Sequence, residues 1–299
     1  MTVITTSGGW EAIGTYRVLC GERVFTVDAP SDGPERHAPL LVLHGFPTSS
    51  FDYAAVLDGL RHGRRVLLLD LLGYGLSAKP DRAYSIALQA DLAAAFVAAL
   101  GIERVALLTH DMGDTVGGEL LARRGEGSWP VEVTRRVLTN GSIYIDQAHL
   151  TAGQQLLLGL PDEVLPPGLP IDAASLTQSL RETFSPLTPL VPPGWPEDPV
   201  PAAAALVVHD DGQLLLPRLI RYIEERRANE RRFTGAIETD PSGLHVVWGL
   251  DDPIAVPSMV DTLLSARPEA TDIRLEGVGH YPMVEAPQRY LDAVLPGLD

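Results

Sequence analysis

The chain has 299 residues, 45% of them hydrophobic, enough for one large α/β domain with a sizeable core. Its formal net charge of −16 argues against nucleic acid and against anionic membrane surfaces, because both are bound through clustered Lys and Arg. The one cysteine, Cys20, excludes an internal disulfide. The opening MTVITTSGGW has no basic or apolar leader pattern. No apolar run reaches the roughly 18 residues of a membrane span without a charge, Gly or Pro, so a cytoplasmic protein is expected.

In chain order, YRVLC and RVFTVDA read as a hairpin around Gly21-Glu22. PLLVLHG (39–45) and RRVLLLD (64–70) are continuous apolar runs, as buried parallel strands require. Residues 84–101 form an Ala-rich helix stopped by Gly101. RVALLTH (104–110) is a strand, TVGGELLARR (115–124) a helix and RRVLTNG (135–141) the sixth strand. The rhythm then breaks. Eleven of the 25 prolines fall between Pro161 and Pro201, a density that blocks regular helix and sheet. Helical stretches lie around them at 148–159, 172–184 and 212–232. The alternation returns with strand LHVVWG (244–249), helix 256–268, strand TDIRLEG (271–277) and a closing helix 286–298.

This pattern predicts an α/β fold: a mainly parallel eight-stranded sheet with helices on both faces. Residues 1–141 and 236–299 form its core. Residues 142–235, mostly helical with a Pro-rich loop, form a cap inserted after strand 6.

Function in such sheets gathers at the carboxyl ends of strands. There stand HGFP (44–47), His110-Asp111-Met112-Gly113, WGLDDP (248–253) and GVGHYP (277–282). A nucleophile, then an acid, then a His is the order of a strand-to-helix nucleophile elbow with its acid–His pair, but Asp111 stands where G-x-S-x-G has serine. A carboxylate attacking an acyl carbon gives a mixed anhydride. Attacking a saturated carbon, it gives a plain ester that water can cleave, so the electrophile is an epoxide or alkyl halide. Peptide N–H groups and the helix dipole at such a corner favour negative charge. His280 would activate water and Asp252 would orient it, with Asp251 and Asp146 as rivals for that acid. The backbone N–H groups of Phe46 and Met112 would form the oxyanion hole, each such donor typically worth about 2.7–4 kcal/mol of barrier. Taken singly, each residue has a structural alternative: Asp111 as a helix N-cap, His280 as a loop histidine. His44 and His110 read as supports of loop geometry.

The segments HGFPTSS, DLLGYGLSAKP, HDMGD and GHYP resemble the Asp-nucleophile branch of the α/β-hydrolases, which includes epoxide hydrolases and haloalkane dehalogenases. LHGFPTSSFDY, HDMGDTV, LTNGSIY and DDGQLLLPRLIRYIEERR are most similar to its mesoderm-specific-transcript group, over most of residues 40–290. Dehalogenases of this branch hold the halide with a Trp after the nucleophile and often an Asn in the HGNP loop. Met112 and Phe46 occupy those positions here, and neither has a side-chain donor. Only the cap's Trp195 offers an indole N–H. Epoxide hydrolases protonate the opening ring with cap tyrosines, and Tyr144 and Tyr222 are the two in this cap, although LIRYIEER departs from the epoxide-hydrolase pattern.

The expectation is a hydrolase for an apolar small molecule, most consistent with epoxide opening. Alkyl halide, ester or lactone hydrolysis on the same fold is the alternative, and a non-catalytic ligand-binding protein the other class. No His-Glu-x-x-His or Cys/His cluster points to a metal, no cofactor is expected, and a homodimer is left open.

Overall fold

The computed structural model describes residues 3–168 and 171–299. The strands are β1 (Thr15–Leu19), β2 (Glu22–Ala29), β3 (Leu40–Leu43), β4 (Val66–Leu69), β5 (Arg104–His110), β6 (Glu132–Thr139), β7 (Gly243–Gly249) and β8 (Thr271–Leu275). They form one sheet in the order β1-β2-β4-β3-β5-β6-β7-β8. β1–β2 and β2–β4 pair antiparallel and all other neighbours pair parallel. Every residue of β3 and β4 is buried, because helices cover both faces of the sheet's centre.

The first hairpin turns on Cys20-Gly21, one residue earlier than the sequence suggests. Leu19 pairs with Glu22, and both turn residues have positive φ (51° and 84°), the geometry of a two-residue turn matched to strand twist. The Ala-rich helix runs Ile86–Ala99, with the Ser85 side chain accepting from the Leu88 N–H. The helix after β5 begins at Met112, not at residue 115. It can start there because Gly113 passes against β3, where a β-carbon would collide with the Leu43 carbonyl. Gly113→Ala is therefore expected to destabilise the fold by about 2 kcal/mol and lower Tm by roughly 5 °C, read by thermal melting.

Between β6 and β7 the described residues contain helices and no strand. Ala152–Gly159 and Ala173–Arg181 both open on capping boxes. Val200–Val208 follows the proline-dense stretch, with Pro201 in its first turn, where a missing N–H costs nothing. A short helix at Leu216–Leu219 leads to Tyr222–Ala228, and Glu230–Thr239 runs across residues 235/236 to lie on the core helix Met112–Gly125, Gly118 meeting the Phe233 backbone. A further helix not evident in the sequence, Ser7–Ile13, buries Trp10 completely. No helix among the described residues is long and apolar enough to cross a membrane.

Candidate active site

The corner after β5 has an unusual backbone. Asp111 adopts φ 50°, ψ −116°, a conformation costly for any residue with a β-carbon and kept only where surrounding structure enforces it. Its side chain does not cap the helix that follows. Instead, Oδ2 accepts a 2.9 Å hydrogen bond from the Phe46 N–H. The HGFP loop can approach this closely because residue 45 is glycine, where a β-carbon would lie 2.7 Å from that of Asp111. Met112 N–H, the other expected oxyanion donor, opens the helix beside the carboxylate but makes no hydrogen bond to it among the described residues. The second acid of HDMGD, Asp114, is fully buried and accepts from the Thr109 hydroxyl, and burial pushes its carboxyl well above the usual range.

Two further loops converge on the corner. The loop after β8 carries His280, whose N–H donates to the Thr183 carbonyl at 3.0 Å. Its Nδ1 lies 2.8 Å from Asp252 Oδ2. Asp252 Oδ1 accepts from the N–H groups of Ile254 (2.7 Å) and Ala255 (3.0 Å), so both oxygens of this buried carboxylate are held. Neither rival acid meets His280: Asp251 accepts from Ser185 Oγ at 2.5 Å, and Asp146 sits exposed in the turn Ile145–Gln147.

Asn140, which sequence reasoning did not single out, completes the arrangement. It follows β6 with φ 42°. Its Nδ2 donates to Asp252 Oδ2 at 2.8 Å, and its Oδ1 accepts from the Gly249 N–H at 2.9 Å. The available signal was an amide side chain at a strand's carboxyl end.

Burial pulls the His280 imidazole down, but the Asp252 charge and hydrogen bond, with Asp111 and Glu285 beyond, outweigh it and raise its pKa to about 9. A histidine raised above its unfolded value adds stability that is fully present below about pH 6.5 and is lost as pH rises through about 9. Because Asp111 is one of the raising charges, Asp111→Asn is expected to lower this pKa in an NMR titration of the imidazole; an unchanged value would contradict the arrangement. His110 and His44 are tied to loop backbone. His110 Nε2 donates to the His280 carbonyl at 2.8 Å, and burial followed by the His280 charge lowers its pKa to about 4. His44 Nδ1 donates to Gly45 O at 2.8 Å while Nε2 accepts from the Leu71 N–H at 3.0 Å.

A cavity of about 270 Å³ opens above His280, Phe46 and Tyr281. Leu156, Leu157, Ile171, Leu176, Leu180, Leu216 and Ile254 give it mainly apolar walls, most of them from the segment between β6 and β7. None of the three aromatic residues expected to meet a substrate is among those that line this cavity. Tyr144 turns to the Glu230–Thr239 helix, its hydroxyl donating to Glu238 at 2.7 Å. Trp195 is buried against Phe51 with its indole N–H spent on the Val284 carbonyl at 3.1 Å. The Tyr222 ring lies 5.7 Å from that of Phe46, its hydroxyl has no hydrogen-bond partner among the described residues, and burial together with the Asp111 charge pushes the phenol well above its ordinary value.

A profile of the alpha/beta hydrolase family matches residues 40–293. LipZ of Mycobacterium tuberculosis (strain H37Rv) is 37% identical over 287 residues, 96% of each chain. The mesoderm-specific transcript protein of Mus musculus is 32% identical over 298 residues, covering 96% of this chain and 86% of its own. The crystal structure of Cfl2 from Burkholderia cenocepacia has the same fold, with a TM-score of 0.75 at 20% identity over 96% of this chain and 95% of that one. By its sheet order and by this family match, the chain belongs to the alpha/beta hydrolase family.

Proposed function

We propose that this hydrolase opens an epoxide on an apolar small molecule through an alkyl ester on Asp111, which His280-activated water then cleaves. One observation carries the reading: the corner residue is a carboxylate with Oδ2 held by the Phe46 N–H and Oδ1 without a hydrogen-bond partner among the described residues, close enough to a buried acid–His pair for its charge to act on the imidazole. In the first step Asp111 Oδ1 bonds to an epoxide carbon and the ring C–O bond breaks. Its electron pair stays on the ring oxygen, which takes the Tyr222 proton. In the second step water adds to the ester carbonyl and gives a proton to His280 Nε2. The negative charge develops on the oxygen that already faces Phe46 N–H. Collapse expels the diol oxygen, which takes the proton back from His280; the acid proton left on Asp111 returns to the Tyr222 tyrosinate, restoring carboxylate and phenol together.

Two features support an epoxide over a halide. Phe46 and Met112 offer no side-chain N–H to a leaving halide, and the indole of Trp195 is already bonded. A free phenol, by contrast, suits an alkoxide. The charge logic also fits the second step: once Asp111 is a neutral ester, one charge that raises the His280 pKa is gone, and the imidazole moves towards the neutral form a base requires.

The test is product analysis with epoxyoctane, styrene oxide, bromooctane and an octanoate ester. Diol formation from the epoxides, reduced about 100-fold in Tyr222→Phe without loss of Tm, is the expected result. Halide release or ester cleavage outrunning diol formation would overturn it.

A further inference from the structure

We infer that Arg226 is a positioning residue: from inside the protein it fixes the Tyr222 ring beside the nucleophile corner and balances the charge left when the phenol gives up its proton. The inference rests on the proposed epoxide chemistry, in which Tyr222 is the proton donor.

Arg226 is 1% exposed, yet among the described residues its guanidinium makes no ion pair with a carboxylate. Its partners are neutral acceptors. Nε donates to Thr115 Oγ1 at 2.8 Å, Nη1 to the Ser142 carbonyl at 2.9 Å, and Nη2 weakly, at 3.5 Å, to the Asp111 carbonyl. Those three partners belong to the corner residue itself, to the first turn of the helix it starts and to the loop after β6. Arg226 comes from elsewhere, from the helix Tyr222–Ala228, one turn beyond Tyr222. Its Cζ lies 5.0 Å from the Tyr222 ring centroid, within cation–π distance. One side chain therefore ties the phenol's helix to the backbone that sets the carboxylate.

A buried, unpaired guanidinium is expensive, and an apolar side chain of similar volume would pack at lower cost. The expense is explained if negative charge arises next to it. Ring opening creates such a charge: the Tyr222 O–H bond breaks, its proton goes to the ring oxygen, and the electron pair stays as tyrosinate on the ring that Arg226 faces. An electrophile whose leaving group needs no proton creates no charge there.

That difference is the test. In a His280→Gln background, where the Asp111 ester persists, intact-mass quench-flow reads the alkylation rate with epoxyoctane and with octyl tosylate. Arg226→Met is expected to slow the epoxide about 100-fold and the tosylate less than about threefold, with Arg226→Lys in between on the epoxide. Added to Tyr222→Phe, Arg226→Met is expected to have no further effect on the epoxide. Equal slowing of both electrophiles, in Arg226→Met or in the charge-keeping Arg226→Lys should the former not fold, would overturn the inference and leave Arg226 a structural tie. Unchanged epoxide rates would overturn it too. If tosylate, but no epoxide, labels Asp111 with Arg226 intact, it is the epoxide reading that fails, and the inference with it.

Discussion

Asp111→Asn is expected to lower kcat on epoxyoctane about 10⁴-fold or more, the scale seen when a covalent nucleophile is removed, while leaving the melting temperature nearly unchanged. The carboxamide has the carboxylate's shape, and its oxygen can still accept from the Phe46 N–H that now holds Oδ2. What it lacks is an anionic oxygen to attack carbon. The substitution also separates the chemical reading from the bland one. Asn is as good a helix N-cap as Asp, so a residue that merely began the helix would tolerate it. The strained backbone at φ 50°, ψ −116° and the absence of any capping bond from the side chain argue the same way. A variant retaining most of its turnover would remove Asp111 from the mechanism.

His280→Gln is expected to fail differently. Alkylation asks nothing of the imidazole, so one equivalent of epoxide should still be consumed in a burst. Turnover should then stop, with steady-state kcat down about 10³-fold or more, because no base remains to activate water against the ester. Glutamine also removes the group that Asp252 Oδ2 meets at 2.8 Å, but Asn140 and the N–H groups of Ile254 and Ala255 continue to satisfy that buried carboxylate. The site should therefore survive the change. Loss of the burst together with the turnover would mean that His280 acts before the covalent step, as in serine-type chemistry.

The fold was legible where the chain is buried on both faces. β3 and β4 are continuous apolar runs because helices cover the sheet's centre, and the Ala-rich helix ends just before its glycine stop, Gly101. Among the helices that were not legible are two longer than a single turn. Ser7–Ile13 opens with two glycines and earns its place only by burying Trp10, and Val200–Val208 has a proline in its first turn directly after a proline-dense loop. In the candidate site, Asp111, Asp252 and His280 were legible because each stands in a short motif at a strand's carboxyl end, where this topology gathers side chains. Asn140 and Arg226 were not. Their roles depend on partners more than a hundred residues away, Asp252 for one and the Asp111–Thr115 corner for the other; Asn140's place at a strand's carboxyl end is a weak local mark, and Arg226 has none. Tyr144 and Trp195 failed for the related reason that a side chain's direction is set by what it packs against, here Glu238 and Phe51.

The most direct test is intact-protein mass spectrometry of His280→Gln after incubation with epoxyoctane, followed by peptide mapping. One added epoxide mass per chain is expected, carried as an ester on Asp111 and removed by hydroxylamine. An unlabelled Asp111 under conditions where the unaltered protein forms diol would contradict covalent catalysis by this carboxylate.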